Sequence, residues 1–489
     1  MTIKNIATFL LQNTGIKQTV IKNTFWLVAA EVISRLLEII LIIYITRILG
    51  PMEFGRFAFV LAFVSVFAMF SDFGLATITT REFSWDREAE KEYSTILFLK
   101  IILSAIALIF MLIGSFLITS DPVVRKLIWI LSFFALIDNF FFIVYALLRA
   151  RQQMEYEAGI KIFQTIITVI IGFFVIFKFP SIINVGYGYL AANLIAIFLI
   201  LLFIHFRIFH LKLSFNKVLL YKFFRFSWPL GVAAIFGAIF INIDSIIMGH
   251  LGKITEVGWY NVAKTIVGFA IIPSTLITMS FYPVLSKLFK ESKEKFQRVW
   301  DYYMESMIIL AVPITVGGFF LSSKIINFIY GPSFNPSILT LQILIFSAGI
   351  GLLYSPYLTI LIIANQQKKY LWINIIATII NVILNLTLIP RYSLYGAAVA
   401  TIVTYLVILF GGIVFFRKIT SVSFLNIKLL EIMAIAIISS LIMSIAISRL
   451  LIYNFNTIFI IITGMSIYFT VLVFSYKFLF RLHLLSKKL

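Results

Sequence analysis

The stretch IILSAIALIFMLIGSFLI, residues 101–118, runs for eighteen residues without a single charged side chain. An α-helix rises about 1.5 Å per residue, so this run reaches about 27 Å, close to the ~30 Å hydrocarbon core of a bilayer. Strands of a membrane barrel would instead alternate apolar and polar residues over about ten residues. The stretch therefore predicts a transmembrane helix at 95–118.

The same pattern recurs along the whole chain. Hydrophobic residues make up 62% of its 489 residues and charged residues 12%, about half the charged share of a typical soluble domain. We therefore predict an all-α polytopic membrane protein with about 14 transmembrane helices. The predicted spans are 24–48, 55–80, 95–118, 126–148, 159–178, 184–206, 227–250, 258–284, 303–322, 337–363, 371–389, 394–416, 427–449 and 456–480.

The basic residues indicate how the chain is oriented in the membrane. If the N-terminus is inside, the inside segments hold about 29 of the 40 lysines and arginines and the outside segments about 10. Such a bias follows the positive-inside rule. It predicts a multi-pass protein of the cytoplasmic (inner) membrane with both termini in the cytoplasm. Topology then explains the net charge of +20, and no nucleic acid partner is expected.

Residue usage excludes several kinds of chemistry. The chain has no cysteine, and its four histidines form no pair with metal-ligand spacing, so we expect no thiolate site, no metal site and no cofactor. The predicted outer loops are short and carry only isolated acidic residues. No nucleophile–base pair and no phosphate-binding glycine loop is found. We therefore predict that the protein is not an enzyme and does not hydrolyse ATP.

Three pairs of short motifs repeat in the same order, each about six spans apart. They are RILGPMEFG at 47–55 with HLGKITEVGWY at 250–260, ARQQ at 150–153 with ANQQ at 364–367, and GYGYLAA at 186–192 with YGAAVA at 395–400. Together they predict two parallel six-helix repeats that form two lobes around a central cleft, plus two extra C-terminal helices. The predicted domains are 1–215, 216–420 and 421–489.

The motif RILGPMEFG at 47–55 resembles the R-x-L-G-P-x-x-F-G signature of the polysaccharide (O-antigen/exopolysaccharide) repeat-unit flippases. These belong to the multidrug/oligosaccharidyl-lipid/polysaccharide exporter superfamily. The resemblance implies that the chain flips a polyprenyl-pyrophosphate-linked oligosaccharide from the cytoplasmic to the outer leaflet by alternating access. It also implies membrane lipids and polysaccharide-assembly proteins as partners. The alternatives are an ion-coupled drug or metabolite antiporter of the same superfamily, and a peptidoglycan-precursor (lipid II) flippase.

Charged residues inside the predicted spans call for a structural or functional explanation, because each costs on the order of 3 kcal/mol or more at mid-bilayer. Glu31, Arg35 and Glu38 have the spacing i, i+4, i+7, which places them on one helical face with Arg35 between two carboxylates. This stripe either neutralises itself against a neighbouring helix or forms a polar wall where Arg35 binds an anionic substrate.

Three further cations lie near the outer ends of their spans. Arg47 and Arg56 flank the first outer turn, and Lys264 lies in the first turns of the eighth span. They either extend towards the lipid headgroups or bind the pyrophosphate of the substrate.

Asp72, Asp138 and Asp244 are isolated carboxylates within apolar spans. Each either makes a structural hydrogen bond between helices or, like Glu31 and Glu38, is a candidate for coupling transport to H⁺ or Na⁺.

Overall fold

The computed structural model describes residues 15–85, 93–207, 216–420, 422–423, 426–453 and 455–486. Throughout these residues the regular structure is helical. The helices are α1 Ile16–Asp72, α2 Leu75–Trp85, α3 Tyr93–Ile118, α4 Pro122–Ala150, α5 Met154–Lys178, α6 Ile182–Arg207, α7 Lys217–His250, α8 Ile254–Glu291, α9 Lys293–Ile329, α10 Ser337–Ile363, α11 Gln367–Ile419, α12 Ile427–Ile452 and α13 Thr457–Ser486. A short 3₁₀ turn, Pro332–Phe334, joins α9 to α10.

Two long helices each carry two predicted spans, and one non-helical residue interrupts each of them. In α1 the interruption is Gly50, with φ +77°, directly before Pro51. In α11 it is Ser393, with φ +51°, shortly after Pro390. Proline removes a helical hydrogen-bond donor and a positive φ lies outside the helical region, so both positions break the helix.

Eleven helices in the described part of the chain are long and apolar enough to cross a membrane, by length and composition. One of them is α11, which corresponds to two predicted spans. The prediction of an all-α, multi-pass membrane protein is confirmed, while the count of fourteen spans stays a prediction. The two chain termini, which are predicted to be cytoplasmic, lie outside the described residues.

The chain folds into two compact units, one ending at Thr255 and the other beginning at Glu256. In the first unit α1 is central, because it packs against α3, α4, α5 and α7. In the second unit α9 packs against α10 and α12, while α10 packs against α11. The domain limits predicted from the repeat fall at residues 215 and 421, which are outside the described residues, so they remain a prediction about the duplication.

The core of the second unit is an aromatic cluster. The ring of Trp300 stacks on Phe416 with 4.3 Å between centroids and meets Tyr357 edge-on at 5.3 Å. All three side chains are buried. Aromatic pairs with these geometries are worth about 0.5–1.5 kcal/mol beyond the area that they bury, so they stabilise the contact of α9 with α10 and α11.

A tight turn in the first unit ends α1 and starts α2 inside the predicted span 55–80. Phe73 has φ +42° and donates its backbone N–H to the carbonyl of Met69, and Gly74 has φ +79°. A Cβ at Gly74 would lie 2.8 Å from the carbonyl oxygen of Ser227 on α7. Only glycine therefore allows α7 to approach the turn this closely.

Candidate functional site

The charged stripe on α1 has the arrangement predicted from its spacing. Arg35 Nε donates a hydrogen bond to Glu31, and Lys161 on α5 pairs with the same carboxylate. The side chains of Arg35 and Glu31 are 57% and 43% exposed, and Glu38 one turn on is exposed too. The stripe therefore lies on the surface of the described structure, within an apolar helix, and is only partly neutralised by its neighbours.

A second polar cluster joins this stripe to three other helices of the first unit. Asp138 on α4 accepts a hydrogen bond from Gln164 Nε2 on α5 at 2.9 Å, and Gln164 Nε2 also lies 3.0 Å from Asn193 Oδ1 on α6. The Tyr145 hydroxyl donates to Gln164 Oε1 at 3.3 Å. Glu38 interacts electrostatically with Asp138. Two carboxylates near amide oxygens form a group that can bind a proton or a hard monovalent cation.

The described residues contain no group of three or more His, Cys, Asp or Glu side chains close enough to bind a metal ion. The Glu38–Asp138 cluster offers two carboxylates, which suits a proton or a monovalent cation.

Asp72 is paired, although the sequence suggested an isolated carboxylate. Lys100 Nζ lies 3.1 Å from Asp72 Oδ1 and 3.1 Å from Asn139 Oδ1, and Asn139 Nδ2 donates to the Ala68 carbonyl at 3.0 Å. The Lys100 side chain is fully buried. Lys100 belongs to the predicted span 95–118, and the structure places it inside the first unit as the counter-ion of Asp72.

Asp244 lies on α7 and is buried, at 4% exposure. Its Oδ1 accepts hydrogen bonds from the backbone N–H of Ser245 at 2.7 Å and from the Ser245 hydroxyl at 3.3 Å. These local contacts satisfy part of the hydrogen-bonding capacity of the carboxylate. A role of Asp244 in ion coupling stays a prediction.

The cations at the outer ends of the spans have different surroundings. Arg56 pairs with Glu53 on its own helix and with Asp121 Oδ2, at 3.0 Å, at the start of α4. Asp121 also caps α4 by accepting a hydrogen bond from the Val123 N–H at 2.8 Å. Arg56 therefore links the second half of α1 to α4. Arg47 is exposed.

Within the first unit, the structure does not bring the predicted substrate-binding cations Arg35 and Arg47 together. Arg35 and Arg47 are twelve residues apart on one helix, which corresponds to about 18 Å along its axis. Lys264 belongs to the second unit, where its Nζ lies 5.6 Å from the centroid of the Tyr260 ring. One diphosphate group cannot contact both Arg35 and Arg47 at once. We therefore treat these cations as separate binding positions.

Sequence reasoning missed three residues of these clusters. Gln164 and Asn193 bridge α4, α5 and α6, and Lys100 neutralises Asp72. The signal that could have found them is a lone polar side chain inside an apolar span, because such a residue needs a partner on another helix.

Comparison with known proteins identifies related chains. The family described as polysaccharide biosynthesis protein matches residues 20–289. The chain is 23% identical over 406 residues to the capsular polysaccharide biosynthesis protein CapF of Staphylococcus aureus, covering 82% of this chain and 100% of that protein. It is 24% identical over 402 residues to a putative O-antigen transporter of Escherichia coli K12, covering 78% of this chain and 93% of that protein.

A solved structure has a similar fold. The inward closed conformation of the lipid II flippase MurJ superposes with a TM-score of 0.76 at 17% identity, over 93% of this chain and 98% of that chain. At this identity the similarity concerns the fold, and it agrees with the all-α, two-lobe architecture predicted from the repeats.

Proposed function

The chain belongs to the polysaccharide biosynthesis protein family, and from that premise we propose that it flips lipid-pyrophosphate-linked oligosaccharide or polysaccharide repeat units from the cytoplasmic to the outer leaflet. The match to residues 20–289 covers more than half of the 489 residues. The E. coli relative is described as a putative O-antigen transporter. The protein is accordingly a membrane transporter and not an enzyme.

The observation that carries the proposal is the exposed charged stripe on α1. A charge that faces lipid at mid-bilayer costs on the order of 3 kcal/mol or more, so exposed charges in a span face water or a polar ligand. Arg35 has five N–H donors, and its bond to Glu31 uses the Nε donor. The remaining donors form a planar fork that suits a phosphate group. We propose that Arg35 binds the diphosphate of the substrate along the transfer path.

Ion coupling is a separate part of the proposal, and the second cluster supports it. Glu38 and Asp138 lie on the packed helices α1 and α4 and repel each other electrostatically, and a bound proton or cation would relieve that repulsion. Binding of H⁺ or Na⁺ at this cluster would change the net charge beside Arg35. An imposed gradient could then drive the alternating access that moves the substrate.

Location and partners are proposed with the function. We propose that the chain lies in the cytoplasmic (inner) membrane with both termini in the cytoplasm and that it works with polysaccharide-assembly proteins. We also retain the prediction of two six-helix repeats, at 1–215 and 216–420, followed by the helix pair 421–489. Arg47, Arg56 and Lys264 are proposed as positions that the diphosphate meets near the outer face, and Asp72 and Asp244 remain ion-coupling candidates.

Reconstitution of the purified protein in proteoliposomes tests this function against its alternatives. A fluorescent polyprenyl-diphosphate oligosaccharide, lipid II and a soluble organic cation are offered in separate vesicles, with and without a proton or sodium gradient. We expect protein-dependent transfer of the oligosaccharide lipid that accelerates with a gradient. Transfer of lipid II alone would support the peptidoglycan-precursor flippase, and extrusion of the organic cation alone would support the antiporter.

A further inference from the structure

A small polar cavity opens in the first unit between α2 and the last turns of α4. Its volume is about 320 Å³, which is at the low end of the range for ligand pockets, about 300–1,000 Å³. The lining residues are Ala76, Thr77, Thr80, Arg81, Ser84, Ala146 and Arg149. The cavity lies apart from the Asp138 carboxylate, because its lining residues on α4, Ala146 and Arg149, are eight and eleven residues beyond Asp138, about 12 and 16 Å along the helix axis.

One wall of the cavity is a row of hydroxyl groups. Thr77, Thr80 and Ser84 have the spacing i, i+3, i+7, so they share one face of α2. Thr80 Oγ1 lies 3.2 Å from the carbonyl oxygen of Ala146 on α4, which fixes the two helices against each other at this point. Thr80 Oγ1 also donates to the Ala76 carbonyl at 3.0 Å, and Ser84 Oγ donates to the Thr80 carbonyl at 2.5 Å. Either hydroxyl donates to a ligand only if its hydrogen turns away from the backbone carbonyl.

Two arginines stand at the rim, and a carboxylate orients each of them. Arg149 binds Glu157 through Nε, at 2.9 Å, and through Nη2, and the Glu157 side chain is 4% exposed while that of Arg149 is 49% exposed. Arg81 Nη2 lies 2.9 Å from Glu82 Oε1. Glu157 holds one edge of the Arg149 guanidinium, so the N–H groups of its other edge can meet a ligand in the cavity.

The local charge favours an anion. Lys222 on α7 lies 3.8 Å from the same Glu82 that pairs with Arg81. Among the described residues, the three cations Arg81, Arg149 and Lys222 thus lie around the two carboxylates of Glu82 and Glu157. A cationic ligand would be repelled, and an apolar ligand would leave the guanidinium N–H groups that face the cavity without acceptors. Guanidinium forks beside hydroxyl groups match a phosphate group, which offers several acceptor oxygens.

We propose that this cavity binds the phosphate or diphosphate ester group of the lipid carrier before transfer. The proposal rests on the proposed flippase function, and it adds a docking site at the end of α4 that the proposed topology places in the cytoplasm. The cavity has room for a charged headgroup but not for the sugar chain or the lipid tail. Arg81 and Arg149 bind the ester group, and Glu82 and Glu157 position them.

Binding to the full-length protein in nanodiscs tests the site directly. The probes are polyprenyl diphosphate in the nanodisc lipid and soluble inorganic pyrophosphate as a competitor. We expect wild type to bind polyprenyl diphosphate, pyrophosphate to compete for it, and Arg81→Gln and Arg149→Gln each to weaken binding about tenfold, because each removes a charge-assisted hydrogen bond. Pyrophosphate binding without binding of the lipid would overturn the assignment to the lipid carrier.

The matched control is Arg225→Gln, which removes an exposed arginine of α7 that does not line the cavity. We expect it to bind the lipid as tightly as wild type. If Arg225→Gln weakens binding as much as Arg149→Gln does, the loss reflects surface charge alone and the site is disproved. Thermal melting of each variant separates lost binding from lost folding, and the two arginine positions give independent tests.

Transfer assays on the same preparations distinguish this inference from the proposed function. Arg149→Gln should raise the substrate concentration needed for half-maximal transfer by about tenfold. Wild type that transfers the lipid, with Arg149→Gln unchanged in its concentration dependence, would overturn the docking site alone. Wild type that binds polyprenyl diphosphate through the arginines but transfers nothing would overturn the flippase function and keep the site.

Discussion

The ammonium nitrogen of Lys100 lies 3.1 Å from Oδ1 of Asp72, and no part of the lysine side chain is exposed. The pair joins α3 to the end of α1, directly before the turn at Phe73 that begins α2. A buried ammonium without a counter-ion is strongly unfavourable, so Asp72 stabilises the first unit simply by neutralising Lys100. This contact gives Asp72 a structural role whether or not it also couples transport to an ion.

We predict that Asp72→Asn destabilises the protein by about 3–5 kcal/mol, because it leaves the buried Lys100 ammonium unpaired. Thermal melting of the purified protein in detergent measures the effect as a lowered melting temperature. The double variant Asp72→Asn with Lys100→Met removes both charges and should recover most of the lost stability. A double variant that melts as low as the single one would show that the ion pair is not what stabilises this region.

A second prediction concerns the turn between α1 and α2, with another glycine of positive φ as the control. Gly74→Ala introduces a positive-φ alanine, which costs about 1–2 kcal/mol, and places its Cβ 2.8 Å from the Ser227 carbonyl oxygen. Gly252→Ala has a similar φ, +75°, but meets nothing within 4 Å. We expect both variants to melt lower than wild type and Gly74→Ala to melt lower still. Equal melting temperatures would mean that α7 does not pack closely on this turn.

We predict that Glu38 and Asp138 make transfer respond to the ion gradient. Glu38→Gln and Asp138→Asn each remove one ionisable group and keep the shape of the side chain, so we expect transfer that no longer accelerates with a proton or sodium gradient. Glu291→Gln, at the exposed end of α8, is the control and should respond as wild type does. Gradient-dependent transfer in both cluster variants would move the coupling site elsewhere.

The proposed orientation can be tested because the chain has no cysteine. Single cysteines are introduced at Lys293, an exposed residue at the start of α9, and at Ser333, an exposed residue in the short turn before α10. With the termini in the cytoplasm, a membrane-impermeant maleimide should label Ser333→Cys in intact cells and Lys293→Cys only after permeabilisation. The reverse labelling pattern would invert the topology.

The helices were predictable because hydrocarbon thickness sets the length of an apolar run. The predicted span 95–118 corresponds to the helix Tyr93–Ile118, and 337–363 to Ser337–Ile363. The turn at Phe73 and Gly74 was not predictable, since both residues lie in an apolar run and the reason for the turn is the close approach of α7. Tertiary contact, and not local sequence, decides that position.

The site was partly predictable for the same reason. The contact between Glu31 and Arg35 follows from i, i+4 spacing on one helix, and it is present. The bonds of Gln164 to Asp138 and of Lys100 to Asp72 join residues 26 and 28 positions apart. No helical periodicity relates such residues, so only the packing of α4 against α5, and of α1 against α3, shows which polar side chains meet.

Leaflet transfer by Arg35→Gln is the most direct test of the central claim that the exposed stripe on α1 carries an anionic lipid-linked glycan. Wild type, Arg35→Gln and the control Arg449→Gln, an exposed arginine near the end of α12, are compared in proteoliposomes with the fluorescent polyprenyl-diphosphate oligosaccharide. We predict that Arg35→Gln lowers the transfer rate about tenfold or more, while Arg449→Gln stays within about twofold of wild type. Equal rates in all three proteins would contradict the account.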